Sequence, residues 1–136
     1  MNETYTQMKE RHEQEFSNFP MAFAFSDEQL IEALEKLEAT ADQCVSIGGG
    51  GIIRKVDEQA LNDLFSRHDE EKAAAMLDDE FLIDAMQYEL DNHEYTYTNS
   101  SRDALDALGI EKPDTRQLKL LEIAKAQCWQ WHEENA

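Results

Sequence analysis

Residues 44–56 read CVSIGGGGIIRKV, two short β-prone runs separated by four consecutive glycines. The runs, Cys44 to Ile47 and Ile52 to Val56, are rich in β-branched residues, and the glycines between them supply the reversal that joins two antiparallel strands. Each glycine costs roughly 0.5 to 1 kcal/mol of backbone entropy relative to alanine, so four in a row imply a backbone that needs them. One use is a structural turn with several positive φ values. The other is a flat loop, Gly48, Gly49, Gly50 and Gly51, that lets a protein or small ligand approach the main chain beside Arg54 and Lys55. A phosphate-binding loop fits poorly, because the G-x-x-x-x-G-K-[ST] pattern is missing and a β-prone run follows the glycines where a helix N-terminus is needed.

Outward from the hairpin the chain reads as helical. Before it, Thr4 to Ser17 forms a polar helix stopped at Asn18-Phe19-Pro20, and Met21 to Phe25 is a short apolar strand or extended segment. Ser26 and Gln29 make a capping box, with Phe25 placed to staple onto Leu30 and with Leu30, Ile31, Leu34 and Leu37 as the buried stripe. After the hairpin, Asp57 caps a third helix and Val56 staples onto Leu61. A helical stretch from about Asp69 to Asn92, broken near Asp78, carries Leu77, Phe81, Ala85 and Tyr88 at successive turns. The alternation Tyr95-Thr96-Tyr97-Thr98 predicts a third strand or extended edge. Ser100 and Asp103 start a short helix ended by Gly109. Pro113 and Asp114 introduce the last helix, with Leu121, Ala124, Cys128 and Trp131 on one face. The predicted fold class is α+β: a mainly helical single domain of residues 1–136, with five or six helices and a small antiparallel hairpin or three-stranded sheet.

Charge narrows the function. Thirty acidic residues against 12 basic ones leave a formal net charge of -18, which repels nucleic acid and anionic lipid and favours a basic partner protein. No lysine or arginine lies between Lys72 and Arg102, an interval that holds Asp78, Asp79, Glu80, Asp84, Glu89, Asp91 and Glu94. Those seven are the candidate partner-binding residues. On a helix, Glu80, Asp84 and Asp91 recur at spacings of four and seven along one side. The polar N-terminal run and short apolar runs fit neither a secretory signal nor a membrane span, so a cytoplasmic protein is expected.

Catalytic and metal patterns are missing from the sequence. None of the four histidines has a glutamate three residues before it, and H-E-x-x-H, G-x-S-x-G and paired-cysteine spacings do not occur. The two cysteines, Cys44 and Cys128, read as reduced and buried. Glu89 and His93, one helical turn apart, read as a salt-linked pair more readily than as a site, and so does His68 beside Asp69 and Glu70. Trp129 and Trp131 lie about 200° apart on a helix, so only one of them can anchor the core. The expectation is a non-enzymatic protein with no catalytic residues, no metal and no cofactor.

At FPMAFAFSDEQ (19–29), SIGGGGIIRK (46–55) and HEY (93–95), the sequence resembles an uncharacterised family of small acidic proteins carried by phages and conjugative elements of Gram-positive gut bacteria. The resemblance implies no site residues. It implies a setting in which small acidic proteins interfere with host defences, sometimes by imitating the charge of DNA. Together, charge and resemblance suggest an inhibitor that binds a basic site on a host or defence protein, such as a nuclease. The rival is a binder of an anionic small molecule, such as a nucleotide, at the glycine loop with Arg54 and Lys55.

Overall fold

The glycine run forms the turn its sequence asks for. In the structure, a computed structural model that describes residues 3–135, β2 (Cys44–Gly48) and β3 (Gly51–Arg54) pair antiparallel with Val45 opposite Ile53 and Gly48 opposite Gly51. The two-residue loop Gly49-Gly50 has φ of 58° and 80°, both positive, which matches the right-handed twist of the flanking strands. A register irregularity falls between Ser46 and Gly48. β1 (Ala22–Phe23) pairs antiparallel with the other side of β3, giving the strand order β1-β3-β2.

Seven α-helices are present among the described residues: α1 (Tyr5–Ser17), α2 (Asp27–Leu37), α3 (Glu58–Ala75), α4 (Asp79–Asn92), α5 (Tyr95–Thr98), α6 (Arg102–Ala107) and α7 (Thr115–Glu134). The fold class is therefore α+β, mainly helical with a small three-stranded antiparallel sheet. Local chemistry sets most helix ends. The Ser26 hydroxyl accepts from Gln29 N at 3.2 Å, and the Gln29 side chain accepts from Phe25 N at 2.7 Å. Asp78 accepts from Phe81 N at the start of α4, and Asp114 and Gln117 form a reciprocal capping box on α7.

The chain contacts divide into two compact units, with boundaries inside α1 and α3. The unit of Met1–Glu10 with Glu71–Ala136 is helical over its described residues, and its core gathers Leu82, Met86 and Leu90 of α4 with Leu121, Ala124 and Cys128 of α7. Arg11–Glu70 holds the sheet and has two smaller clusters, Met21 with Ile53 and Leu61, and Ala22 with Ala33 and Leu37.

Several local expectations are corrected. Tyr95–Thr98 is one turn of helix, not a strand, bounded by Glu94 (φ 57°) and Asn99 (φ 59°) in the left-handed region. A strand would put Tyr95 and Tyr97 on the same face, but only Tyr95 finds a core and Tyr97 is exposed, so the alternation has no common face to bury. Phe25, Leu30 and Ile31 are not core residues. Ala33 and Leu37 form the buried stripe of α2, and the Phe25 ring lies over Gly50. Asp57 ends a 3₁₀ turn (Lys55–Asp57) that leads into α3, where its carboxylate pairs with Arg54 at 2.9 Å, and Val56 is exposed. Leu77 is exposed in the break between α3 and α4. Neither tryptophan is buried, and Tyr95 meets Trp129 edge-on. Cys128 is buried as expected, but Cys44 is only half-buried.

Candidate functional site

Helix α4 carries most of the predicted acidic residues, and its burial pattern sorts them. The face made by Phe81, Leu82, Ala85, Met86, Glu89 and Leu90 is buried, with Ile83 half-buried against it, and the other acidic positions of the helix are exposed. Asp78 is spent as the helix cap. Asp79 is exposed and paired with Arg116 at 2.8 Å, while the same guanidinium donates to the carbonyls of Met76 and Leu77. Glu94 is exposed at the junction of α4 and α5, with left-handed backbone. Glu80, Asp84 and Asp91 are all exposed, at the predicted helical spacings. Of these, Asp84 accepts from Tyr5 N at 3.2 Å, and Asp91 meets His132 Nε2 at 2.7 Å.

Glu89 does not belong to this exposed group. It is 3% exposed, accepts a hydrogen bond from Tyr5 Oη at 2.8 Å and lies 3.3 Å from His93 Nε2. The i,i+4 pairing with His93 was legible, but its burial and the tyrosine partner were not. Burial, reinforced by the hydrogen bond to Glu89, pushes the Tyr5 phenol well above its ordinary pKa. The phenol thus stays a proton donor to Oε1 of this buried side chain, while Oε2 lies beside His93.

Beside the exposed face of α4, α7 contributes Cys128, Trp131 and His132 to a cleft of about 220 Å³ that is also lined by Asp84, Tyr88 and Asp91. Cys128 and His132 are one helical turn apart. The donor atoms of Asp91, Cys128 and His132 all lie within 4.8 Å of one another. Burial, and then the Asp91 charge, push the Cys128 thiol above its ordinary pKa. Sequence reading missed this constellation because its members come from two helices. The i,i+4 spacing of Cys128 and His132 was its one local trace.

In the other unit the candidate loop has a structural use. Gly50 O accepts from Ala24 N at 2.9 Å, a Cβ at Gly50 would collide with the Phe25 ring, and Arg54 is engaged by Asp57. Lys55 starts the 3₁₀ turn that follows. Elsewhere in this unit the rings of His12 and His68 stack at 3.7 Å. Glu15 pairs with Arg67, and that hydrogen bond holds the Glu15 carboxyl down at about 2.

The chain matches the family of unknown function DUF7659 over residues 4–130. It belongs to that family. The match takes in the glycine hairpin, α4 and most of α7, and stops at residue 130, short of Trp131 and His132 in the α4–α7 cleft. No curated protein and no solved structure matches it. No helix among the described residues is long and apolar enough to cross a membrane.

Proposed function

We propose that this DUF7659 member is a non-enzymatic binding protein that docks a basic surface of a partner protein against the exposed face of α4. The observation that carries this reading is the outward placement of Glu80, Asp84 and Asp91 on one helix, within a stretch that holds no lysine or arginine. Carboxylates one turn apart, as Glu80 and Asp84 are, repel each other and slightly weaken their own helix, and a partner's lysines and arginines relieve that repulsion. The overall charge of -18 adds long-range attraction, which raises the association rate and fades as salt screens it. In the finer form of the proposal the partner is a nucleic-acid-binding protein, such as a nuclease of a host defence system. The carboxylates then stand in for phosphates, in a cytoplasmic inhibitor carried by a phage or mobile element.

The test compares the wild-type chain with the E80K/D84K/D91K variant in capture of a nucleic-acid-binding protein from host extract. Capture that weakens with rising salt and is lost in a variant with an unchanged circular dichroism spectrum supports the proposal. Salt-indifferent capture, or capture retained by the folded variant, removes α4 as the binding face.

A further inference from the structure

The cleft between α4 and α7 brings together three side chains of different donor chemistry: a carboxylate (Asp91), a thiol (Cys128) and an imidazole (His132). Their arrangement differs from the rest of the acidic surface. Cys128 is 2% exposed and anchored in the core, and His132 sits one turn further along the same helix. His132 is positioned from two sides, by Asp91 at 2.7 Å and by the Trp131 ring, edge-on at 5.0 Å between centroids.

We propose that Asp91, Cys128 and His132 form a binding site for a divalent zinc-class ion. Bond lengths near 2.0–2.3 Å place tetrahedral donors about 3.5 Å apart. Donor atoms that already lie within 4.8 Å of one another reach that spacing by side-chain adjustment alone. The mixed sulfur, nitrogen and oxygen set suits a borderline-soft ion such as Zn²⁺ and disfavours Mg²⁺ and Ca²⁺, which take oxygen ligands. On binding, the Cys128 sulfur–hydrogen bond is exchanged for a sulfur–zinc bond and the proton leaves to solvent. Thiolate and carboxylate then balance the two positive charges of the ion, so that no net charge is left against the core.

Three protein ligands leave a tetrahedral ion one position for water or a ligand, and the cleft provides room for it beside Asp84 and Tyr88. This inference is independent of the proposed partner surface except that Asp91 belongs to both, so its test turns on the two α7 residues.

The full chain, stripped with chelator and kept reduced, is titrated with Co²⁺ and then with Zn²⁺ against a chromophoric chelator, at physiological salt and with excess Mg²⁺ present. The expected result is one equivalent bound, with a thiolate-to-cobalt charge-transfer band that Zn²⁺ abolishes. H132Q, a substitution at a half-buried surface position, should weaken binding at least tenfold, and C128S should remove the band. C44S and E80Q should leave both unchanged. If C128S does not fold, H132Q decides alone. No binding, or binding without the band or insensitive to H132Q, overturns the site.

Discussion

The two units of this chain are built on different economies. In the helical unit a single core runs through Tyr5, Leu82, Met86, Leu90, Leu121 and Ala124, drawing on long helices. In the sheet-bearing unit the buried side chains fall into two clusters of three, and Phe23, Phe25, Ile31 and Ile47 remain exposed around them. Burying an aliphatic side chain contributes about 1.5 to 3 kcal/mol, so the helical unit concentrates the hydrophobic stabilisation. The sheet-bearing unit has less such burial, and its hairpin depends on the positive φ of the glycine turn while Glu15 pairs locally with Arg67. Stability carried by a large core and stability carried by local devices respond to different perturbations.

The sharpest break in that comparison is a cavity in the larger core. Leu82 is fully buried, and Leu82→Ala should destabilise the protein by about 2 to 5 kcal/mol in urea unfolding, by lost transfer energy plus the residual void. A loss below about 1 kcal/mol would mean that the helical core does not dominate. Next in size is the polar contact inside the same unit. Tyr5→Phe keeps the ring contacts with Phe81 and Tyr88 but withdraws the hydroxyl that donates to Glu89, and should cost about 1 to 3 kcal/mol. Combining it with Glu89→Gln should recover part of that loss, because a neutral amide is cheaper to leave buried than a carboxylate.

In the sheet-bearing unit the corresponding handle is the turn. Gly49→Ala meets open space but must adopt φ near 58°, which should cost about 1 kcal/mol. Gly50→Ala adds a collision with the Phe25 ring and should cost more, and equal effects would show that Phe25 moves freely aside. The smallest effect is a pH signature. The folded-state pKa of Glu15, at about 2, lies below its ordinary value, so its stabilising contribution is present above the ordinary carboxylate range. That contribution is lost as pH falls towards 2, and Glu15→Gln should flatten that part of the acid-unfolding profile measured by circular dichroism.

Much of this architecture was legible from adjacent residues. The glycine turn, the caps at Ser26 and Asp114, the break near Asp78 and the stop at Gly109 each depend on a few neighbouring positions. That Glu80, Asp84 and Asp91 share one side of a helix followed from their spacing. Charge was equally plain, since a balance of 12 basic to 30 acidic residues needs no coordinates.

What needed the tertiary structure was every outcome set by a partner distant in sequence. Tyr95–Thr98 has strand-like alternation, but of the two tyrosines that a strand would put on one face only Tyr95 meets a core, and the segment forms a helical turn. Glu89 looked like one more surface carboxylate until Tyr5 proved to bury and satisfy it. Asp91, Cys128 and His132 share no motif, because a motif records ligands supplied by one segment, and here α4 and α7 supply them jointly. Local propensity and spacing act over one or two turns of chain and can be read along it. Burial and the meeting of side chains are decided by which faces pack, and that depends on the free energy of the whole fold.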